Sequence, residues 1–447
     1  MSGSLMSDSL PLPLRIYQRL SIAVAPLAPA LISRRLKQGK EDPARVGERR
    51  GVSRDVRPGG PLVWVHGASV GEVLAAASLV ERLRELGLSI LLTSGTVTSA
   101  AMVARRFPGD VIHQYLPYDM PRYVTRFLDH WRPSLGLFIE SDLWPNLIMA
   151  GAARQMPMVL INGRMSPRSY PRWRRAHGTI SALLSRFDCC LAQSPADAER
   201  FAALGSRNVV TTGNLKFDVP APPADAVKLE RLAALTRDRP IIVAASTHPG
   251  EEEMLIRVHS RLAASFPRLL TVMVPRHPSR GAEVAGLVRA AGLSPKLRSQ
   301  GELPEAATDI YVGDTMGELG LFYRLAPVVF MGGSLIRHGG QNPIEAAKLG
   351  ASIVHGPHVF NFGDVYEALD QVGGACAAAS LEALVRDLGQ LLADPAAREI
   401  MQRAGHGVVG RLSGALERTL ATLEPYVAKM RLEMRGSESL TPGVSNA

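Results

Sequence analysis

The sequence predicts two doubly wound α/β domains, each a parallel sheet with helices on both faces. Three observations carry this. Short apolar runs without polar alternation recur along the chain and are separated by stretches of helical spacing, the pattern of strands buried on both faces. Polar and glycine-bearing clusters follow those runs, at the strand ends where open parallel sheets bind ligands. The proline-rich segment VPAPPA at 219–224 divides the alternation, in a chain whose 447 residues exceed one ordinary core.

The elements follow in order. Residues 1–51 hold an uncharged apolar run at 20–32, broken by Pro26 and Pro29. It lies between Arg15 and Arg19 on one side and Arg34, Arg35, Lys37 and Lys40 on the other. The run falls short of the ~20 residues of a clean crossing. It reads as a membrane-associating anchor with basic flanks on anionic headgroups, adding nothing periodic to either domain. The first domain, 52–217, has expected strands at 62–65, 89–93, 111–116, 135–139, 158–161, 189–192 and 208–212, with one helix over 72–86. The second, 218–434, has expected strands at 241–245, 269–274, 309–312, 328–331 and 352–354, and a final helix from Ala415 to about Met434. Residues 435–447 read as a disordered tail.

Composition narrows the function. Hydrophobic content of 46% with 21% charged residues is globular, and a net charge of +10 favours an anionic partner such as a phosphorylated substrate or phospholipid. Aromatics are 5% and no RNA-binding aromatic motif occurs, which argues against nucleic acid. Three cysteines make no disulfide framework. Cys189 and Cys190 should point to opposite faces of a strand, and with Cys376 they read as reduced, in a cytoplasmic setting.

The strand-end clusters carry the candidate chemistry. His66-Gly-Ala-Ser-Val-Gly-Glu72 is a glycine-bounded turn into a helix, whose dipole favours an ionised Glu72 and lowers its basicity. Glu140-Ser-Asp-Leu-Trp-Pro-Asn146 adds a second carboxylate, with Trp144 and Pro145 read as packing and capping residues. In Gly213-Asn-Leu-Lys-Phe-Asp218, Lys216 either neutralises substrate charge or pairs with Asp218. Ser246-Thr-His-Pro-Gly-Glu251 and Pro275-Arg-His-Pro278 both follow strands, and Arg276 is placed to meet a phosphate. The stretch 314–345 reads as a helix at 316–324, a strand at 328–331, a loop with Gly332, Gly333, Gly339 and Gly340, and a helix opening at Asn342 and Pro343 with Glu345 in its first turn. Glycines after a strand and a helix start suit a phosphate. Neither GxxxxGK[ST] nor GxGxxG occurs there.

These segments resemble the motifs of the 3-deoxy-D-manno-octulosonic acid (Kdo) transferase family. HGASVGE is similar to the family's HSVSVGE, and ESDLWPN to ETELWPN with Asp142 for the second Glu. GNLKFD, STHPGEE, PRHP, GDTMGEL, MGGSLIRHGGQNPIEAA and HGPHVFNF follow in the family's order, over nearly the whole chain from about residue 40. The resemblance implies the GT-B fold, two Rossmann-like domains facing a central cleft. It implies an inverting glycosyltransferase that moves Kdo from CMP-Kdo to the lipid A precursor (lipid IVA) in lipopolysaccharide biosynthesis, at the cytoplasmic face of the inner membrane.

By the same resemblance Glu72 is the catalytic base, and Glu140 and Lys216 support charge in the transition state. Pro275, Arg276, Met316, Gly317, Glu318, Asn342, Pro343, Ile344 and Glu345 hold CMP. Residues 52–217 bind the acceptor, and 218–434 the donor, with the last helix crossing back. No Asp-x-Asp motif occurs, and no metal or other cofactor is expected. Two alternatives stand beside this reading: another GT-B nucleotide-sugar enzyme, such as a UDP-sugar transferase or epimerase, and a non-enzymatic lipid-phosphate binder. The pair Glu72 and Glu140 weighs against the second.

Overall fold

The computed structural model describes residues 10–438. Its chain divides into two compact units, one running up to Val219 and resuming at Ser413, the other from Pro220 to Leu412.

The first unit is built on seven strands: β1 (Leu62–His66), β2 (Ser89–Ser94), β3 (Ile112–Tyr115), β4 (Leu135–Ile139), β5 (Met158–Gly163), β6 (Cys189–Ala192) and β7 (Val209–Thr211). They pair in parallel in the order β3-β2-β1-β4-β5-β6-β7. Strand order reverses between β1 and β4, and the crevice outside such a switch point is where these sheets bind ligands. Successive residues feed opposite apolar layers. Trp64, Phe138, Leu160 and Cys190 lie in one, and Val63, Val65, Leu137, Val159 and Cys189 in the other. The adjacent cysteines therefore do face opposite ways, and all three cysteines are free.

The second unit repeats the plan with β8 (Ile241–Thr247), β9 (Leu270–Pro275), β10 (Pro295–Leu297), β11 (Ile310–Val312), β12 (Val328–Met331), β13 (Ser352–His355) and β14 (Ala375–Ala377). The order is β10-β11-β9-β8-β12-β13-β14, all parallel. Sequence reading found neither β10 nor β14. Each has three residues and lies at a sheet edge, too short to show a period.

Several boundaries differ from expectation. The helix expected over 72–86 is two, Val70–Ala75 and Ala77–Glu85. The helix expected from residue 316 begins at Leu319, because Gly317 takes a left-handed φ of 80° that no α-helix continues through. The last helix spans Ala415–Glu438 and belongs to the first unit, where Leu423, Val427 and Met430 are buried among Val80, Leu135 and Val159. Residues 435–438, expected in a disordered tail, thus lie within that helix. The rest of that tail, 439–447, lies outside the described residues.

The amino-terminal segment corrects the expectation most. It is helical at Leu12–Val24 and Ala28–Lys37, joined by a 3-10 turn at Ala25–Leu27. One face is part of the first unit. Leu14 lies in its core, Ser21 Oγ accepts from the Asn146 side chain at 3.0 Å, and Tyr17 donates to Asp119 at 2.9 Å. The segment therefore adds to a domain, contrary to its sequence reading. The opposite face exposes Leu12, Ile16, Leu20, Val24, Leu27 and Leu31, a stripe at helical spacing.

Candidate active site

The loops after β1 and β4, on either side of the switch point, bring the two candidate carboxylates into one neighbourhood. Ser69 caps the helix that Glu72 enters: its Oγ accepts the Glu72 N–H at 3.3 Å and donates to Glu72 Oε1 at 2.8 Å. Glu72 Oε2 accepts the Ala68 N–H at 2.7 Å. The Ser-x-x-Glu spacing was readable as a helix-capping pair. Burial pushes the Glu72 carboxyl above its ordinary range. The hydrogen bonds from Ser69 and Ala68 oppose that shift, and the charges of Glu140 and Asp142 add to it. This reverses the expectation from the helix dipole alone: desolvation and two neighbouring anions make Glu72 more basic.

Glu140 stands at the end of β4 with φ at +62°, a left-handed conformation uncommon outside glycine and characteristic of constrained functional positions. Its backbone N–H is held by the Ile161 carbonyl. Its Oε1 accepts from Lys216 Nζ at 3.0 Å. Lys216 therefore pairs with Glu140, and the Asp218 carboxylate takes the N–H groups of Gly414 and Leu416.

Asn162, a buried residue at the end of β5, holds the Lys216 loop. Its side-chain oxygen accepts the Leu215 N–H at 2.9 Å. Sequence analysis assigns Asn162 no role. Its only signal was a polar residue closing an apolar strand.

Asp142 was also undervalued. Its Oδ2 lies 3.0 Å from His66 Nε2 and accepts the Trp144 indole N–H at 2.9 Å. Burial would raise Asp142, but the His66 and Trp144 contacts outweigh it and hold the carboxyl below its usual range. Trp144, read as a packing residue, keeps 36% of its surface exposed.

In the second unit the nine residues expected to hold a nucleotide follow the carboxyl ends of three parallel strands, β9, β11 and β12. Pro275 ends β9 and is buried. The Arg276 side chain beside it is exposed, and its backbone N–H donates to the Thr247 carbonyl. Burial raises the Glu345 carboxyl, and the charges of Arg276 and Lys348 oppose that rise, so Arg276 and Glu345 are electrostatic neighbours. Met316 is exposed on the turn with Gly317. Glu318 is engaged elsewhere: hydrogen bonds from Arg298, with help from Thr315 and Lys228, hold its carboxyl at about 2 despite burial. Those residues and Met316 line a cavity of about 390 Å³. Asn342 accepts the Ile344 N–H at 3.0 Å, Pro343 has no N–H to offer, and Ile344 is buried. The helix they open, Ile344–Lys348, is five residues long.

The glycine loop after β12 does not match the phosphate-cradle expectation. Its N–H groups are filled from within: the buried Glu251 carboxylate accepts from Gly333, Ser334 and Leu335 at 2.6, 3.0 and 3.0 Å, and from His248 at 3.0 Å. Gly332 is glycine for packing, since a Cβ there would stand 2.5 Å from the Ser246 carbonyl oxygen. Beside the loop, His248 stacks on His338 with ring centroids 3.8 Å apart. Burial, then the neighbouring His338, His277, Arg276 and Arg280, lower His248 to about 4. Among the described residues no group of three or more His, Cys, Asp or Glu side chains is arranged to hold a metal ion.

The 3-deoxy-D-manno-octulosonic-acid transferase (kdotransferase) family pattern matches residues 44–219. The chain is 38% identical to 3-deoxy-D-manno-octulosonic acid transferase of Haemophilus influenzae over 373 residues, covering 82% of this chain and 87% of that one. The chain belongs to the Kdo transferase family. A second relative, from Bordetella pertussis, is also 38% identical, over 86% of this chain and 91% of its own.

This Kdo transferase family member is therefore a glycosyltransferase. Its fold is the GT-B pair of Rossmann-like domains. A glycosyltransferase from Rickettsia africae shares that fold at a TM-score of 0.55 and 13% identity, covering 83% of this chain and 99% of its own. UDP-GlcNAc 2-epimerase from Neisseria meningitidis shares it at 0.54 and 14%, covering 81% and 100%.

Proposed function

We propose that the protein transfers Kdo from CMP-Kdo to a hydroxyl of the lipid A precursor, with inversion at the anomeric carbon. The observation that carries the reading is Glu72, a half-buried carboxyl with a raised pKa, oriented by Ser69 and Ala68 beside a second carboxylate that is neutralised by Lys216.

In this mechanism Glu72 removes the acceptor proton, a task suited to a carboxylate made more basic by desolvation. The freed oxygen attacks the anomeric carbon as the bond to the CMP phosphate breaks, and the electron pair leaves on the phosphate. Lys216, held by Glu140, offers positive charge to the sugar carboxylate or the departing phosphate. On the second unit Arg276 presents an exposed guanidinium to the phosphate, and Pro275, Met316, Gly317, Asn342, Pro343, Ile344 and Glu345 shape the surrounding loops. Glu318 acts indirectly, by fixing Arg298 and the Met316 turn. A CMP-sugar carries one phosphate, which an arginine can neutralise without a metal. Family membership favours Kdo over the UDP-linked sugars of the alternative reading.

The amino-terminal stripe supports a location on the cytoplasmic face of the inner membrane. Its opposite face is packed and hydrogen-bonded to protein, so the segment suits lying along a bilayer surface. Exposed Arg15, Arg19, Arg34 and Lys37 flank it, as anionic headgroups favour.

The test is incubation with CMP-Kdo and lipid IVA, followed by mass analysis of the lipid. A gain of one or more Kdo masses is expected. Lipid of unchanged mass, with CMP-Kdo intact, contradicts the proposal.

A further inference from the structure

Trp144 is held in a way that packing alone does not require. It precedes Pro145 in the loop after β4, and that proline restricts its backbone to extended conformations, as its φ of −94° and ψ of 108° reflect. The indole N–H of a surface tryptophan ordinarily meets water. Here it turns inward to Asp142 Oδ2 at 2.9 Å, so the exposed part of the side chain is chiefly ring carbon.

Behind Asp142 a chain of polar contacts runs back into the core. Trp64 donates its indole N–H to Thr93 Oγ1 at 2.8 Å, Thr93 Oγ1 lies 2.9 Å from His66 Nδ1, and His66 Nε2 lies 3.0 Å from Asp142 Oδ2. Trp64, Thr93 and His66 are each fully buried. A buried relay that ends by orienting an exposed ring is costly to assemble unless the ring has a task.

The surroundings define the task. Asp142 also raises Glu72, as Glu140 does, so the tryptophan's anchor belongs to the same carboxylate neighbourhood as the candidate base. A flat carbon face next to carboxylates matches one ligand class. The C–H face of a pyranose ring packs on the indole while its hydroxyls donate to the acids.

We infer that Trp144 is a specificity-determining residue, the platform on which the acceptor's sugar ring stacks, and that His66 and Asp142 are positioning residues that hold it. The inference rests on the acceptor reading proposed above and adds the contact that selects the acceptor.

Steady-state transfer to detergent-dispersed lipid IVA tests it, with acceptor and CMP-Kdo varied separately. Trp144→Ala is expected to raise the acceptor KM about five- to tenfold, leaving the CMP-Kdo KM and thermal midpoint unchanged. Trp144→Phe keeps a flat face and should stay within about threefold of wild type. Asp142→Ala, which frees the indole, should raise the acceptor KM in the same direction as Trp144→Ala. Asp142→Asn retains an acceptor oxygen and should raise it less. An unchanged acceptor KM in Trp144→Ala overturns the inference, as does an equal rise in both KM values, which marks a structural role. Wild-type protein that transfers nothing to lipid IVA sinks the proposed reaction, and this inference with it. Wild-type transfer with an unaffected Trp144→Ala variant sinks this inference alone.

Discussion

Lys216 Nζ lies 3.0 Å from Glu140 Oε1, joining the ends of two segments 76 residues apart in the chain. The pair neutralises one carboxylate next to another whose pKa is raised, and Glu140 contributes to that rise. Transfer by a general base requires Glu72 ionised, so the acid limb of the rate profile reports its pKa. Replacing Glu140 by neutral Gln removes a charge that opposes ionisation of Glu72, and the Glu72 pKa falls. The acid limb of the residual activity of Glu140→Gln should therefore move to lower pH. A limb that stays in place, or moves up, would uncouple the two carboxylates.

Glu251 should be a stability residue of the second unit. Four backbone N–H groups converge on its carboxylate. Ala leaves those buried donors unsatisfied, at about 1–3 kcal/mol for each that finds no water. Denaturant unfolding should show Glu251→Ala destabilised by at least about 2 kcal/mol. Wild-type stability in this variant would mean that the loop re-forms around other acceptors.

A deletion and a double substitution at the amino terminus should behave in opposite ways. Removing residues 10–40 strips Leu14, Tyr17 and Ser21 from their partners and should destabilise the first unit by about 2 kcal/mol or more. The double substitution Leu20→Ser and Leu27→Ser alters only the exposed stripe. It should leave the melting temperature unchanged and weaken binding to anionic phospholipid vesicles by at least about tenfold. Equal vesicle binding by the double variant would remove the stripe as the membrane contact.

Much of this was legible in the sequence, and the rest fails for identifiable reasons. Among the described residues, twelve of the fourteen strands showed as apolar runs because strands buried on both faces need no alternation to be seen. Their ends located Glu72, Glu140 and Lys216, since polar residues closing an apolar strand stand out. What stayed hidden was pairing across distance. Lys216 with Glu140, and His66 with Asp142, are 76 residues apart in each case, and spacing along the chain carries no information about them. The glycine loop misled because four glycines look alike whether they cradle a ligand or, as with Gly332, let two backbones touch. Pro26 and Pro29 made the amino-terminal run look broken. Both fall in first turns, where a missing N–H is tolerated, so the helices continue.

Arg276 is the donor-side test. Its guanidinium is exposed and has no hydrogen bond or ion pair among the described residues, so removing it leaves no buried partner stranded. A charge-assisted contact to phosphate is worth about 1.5–3 kcal/mol. Calorimetry with CMP should show Arg276→Ala weaker by about ten- to a hundredfold with an unchanged melting temperature. Unchanged CMP affinity would place Arg276 outside the donor site.

The account turns on Glu72 as the base. Gln keeps the shape of the side chain and its bond to Ala68 but cannot accept the proton. General-base assistance contributes about 10²–10⁴ in rate. The decisive measurement is single-turnover Kdo transfer from CMP-Kdo by Glu72→Gln, with CMP affinity titrated on the same sample. The account predicts transfer slower by at least about a hundredfold, with near-normal CMP affinity and an unchanged melting temperature. Transfer at the wild-type rate would contradict it and leave Glu72 as a helix-capping acid.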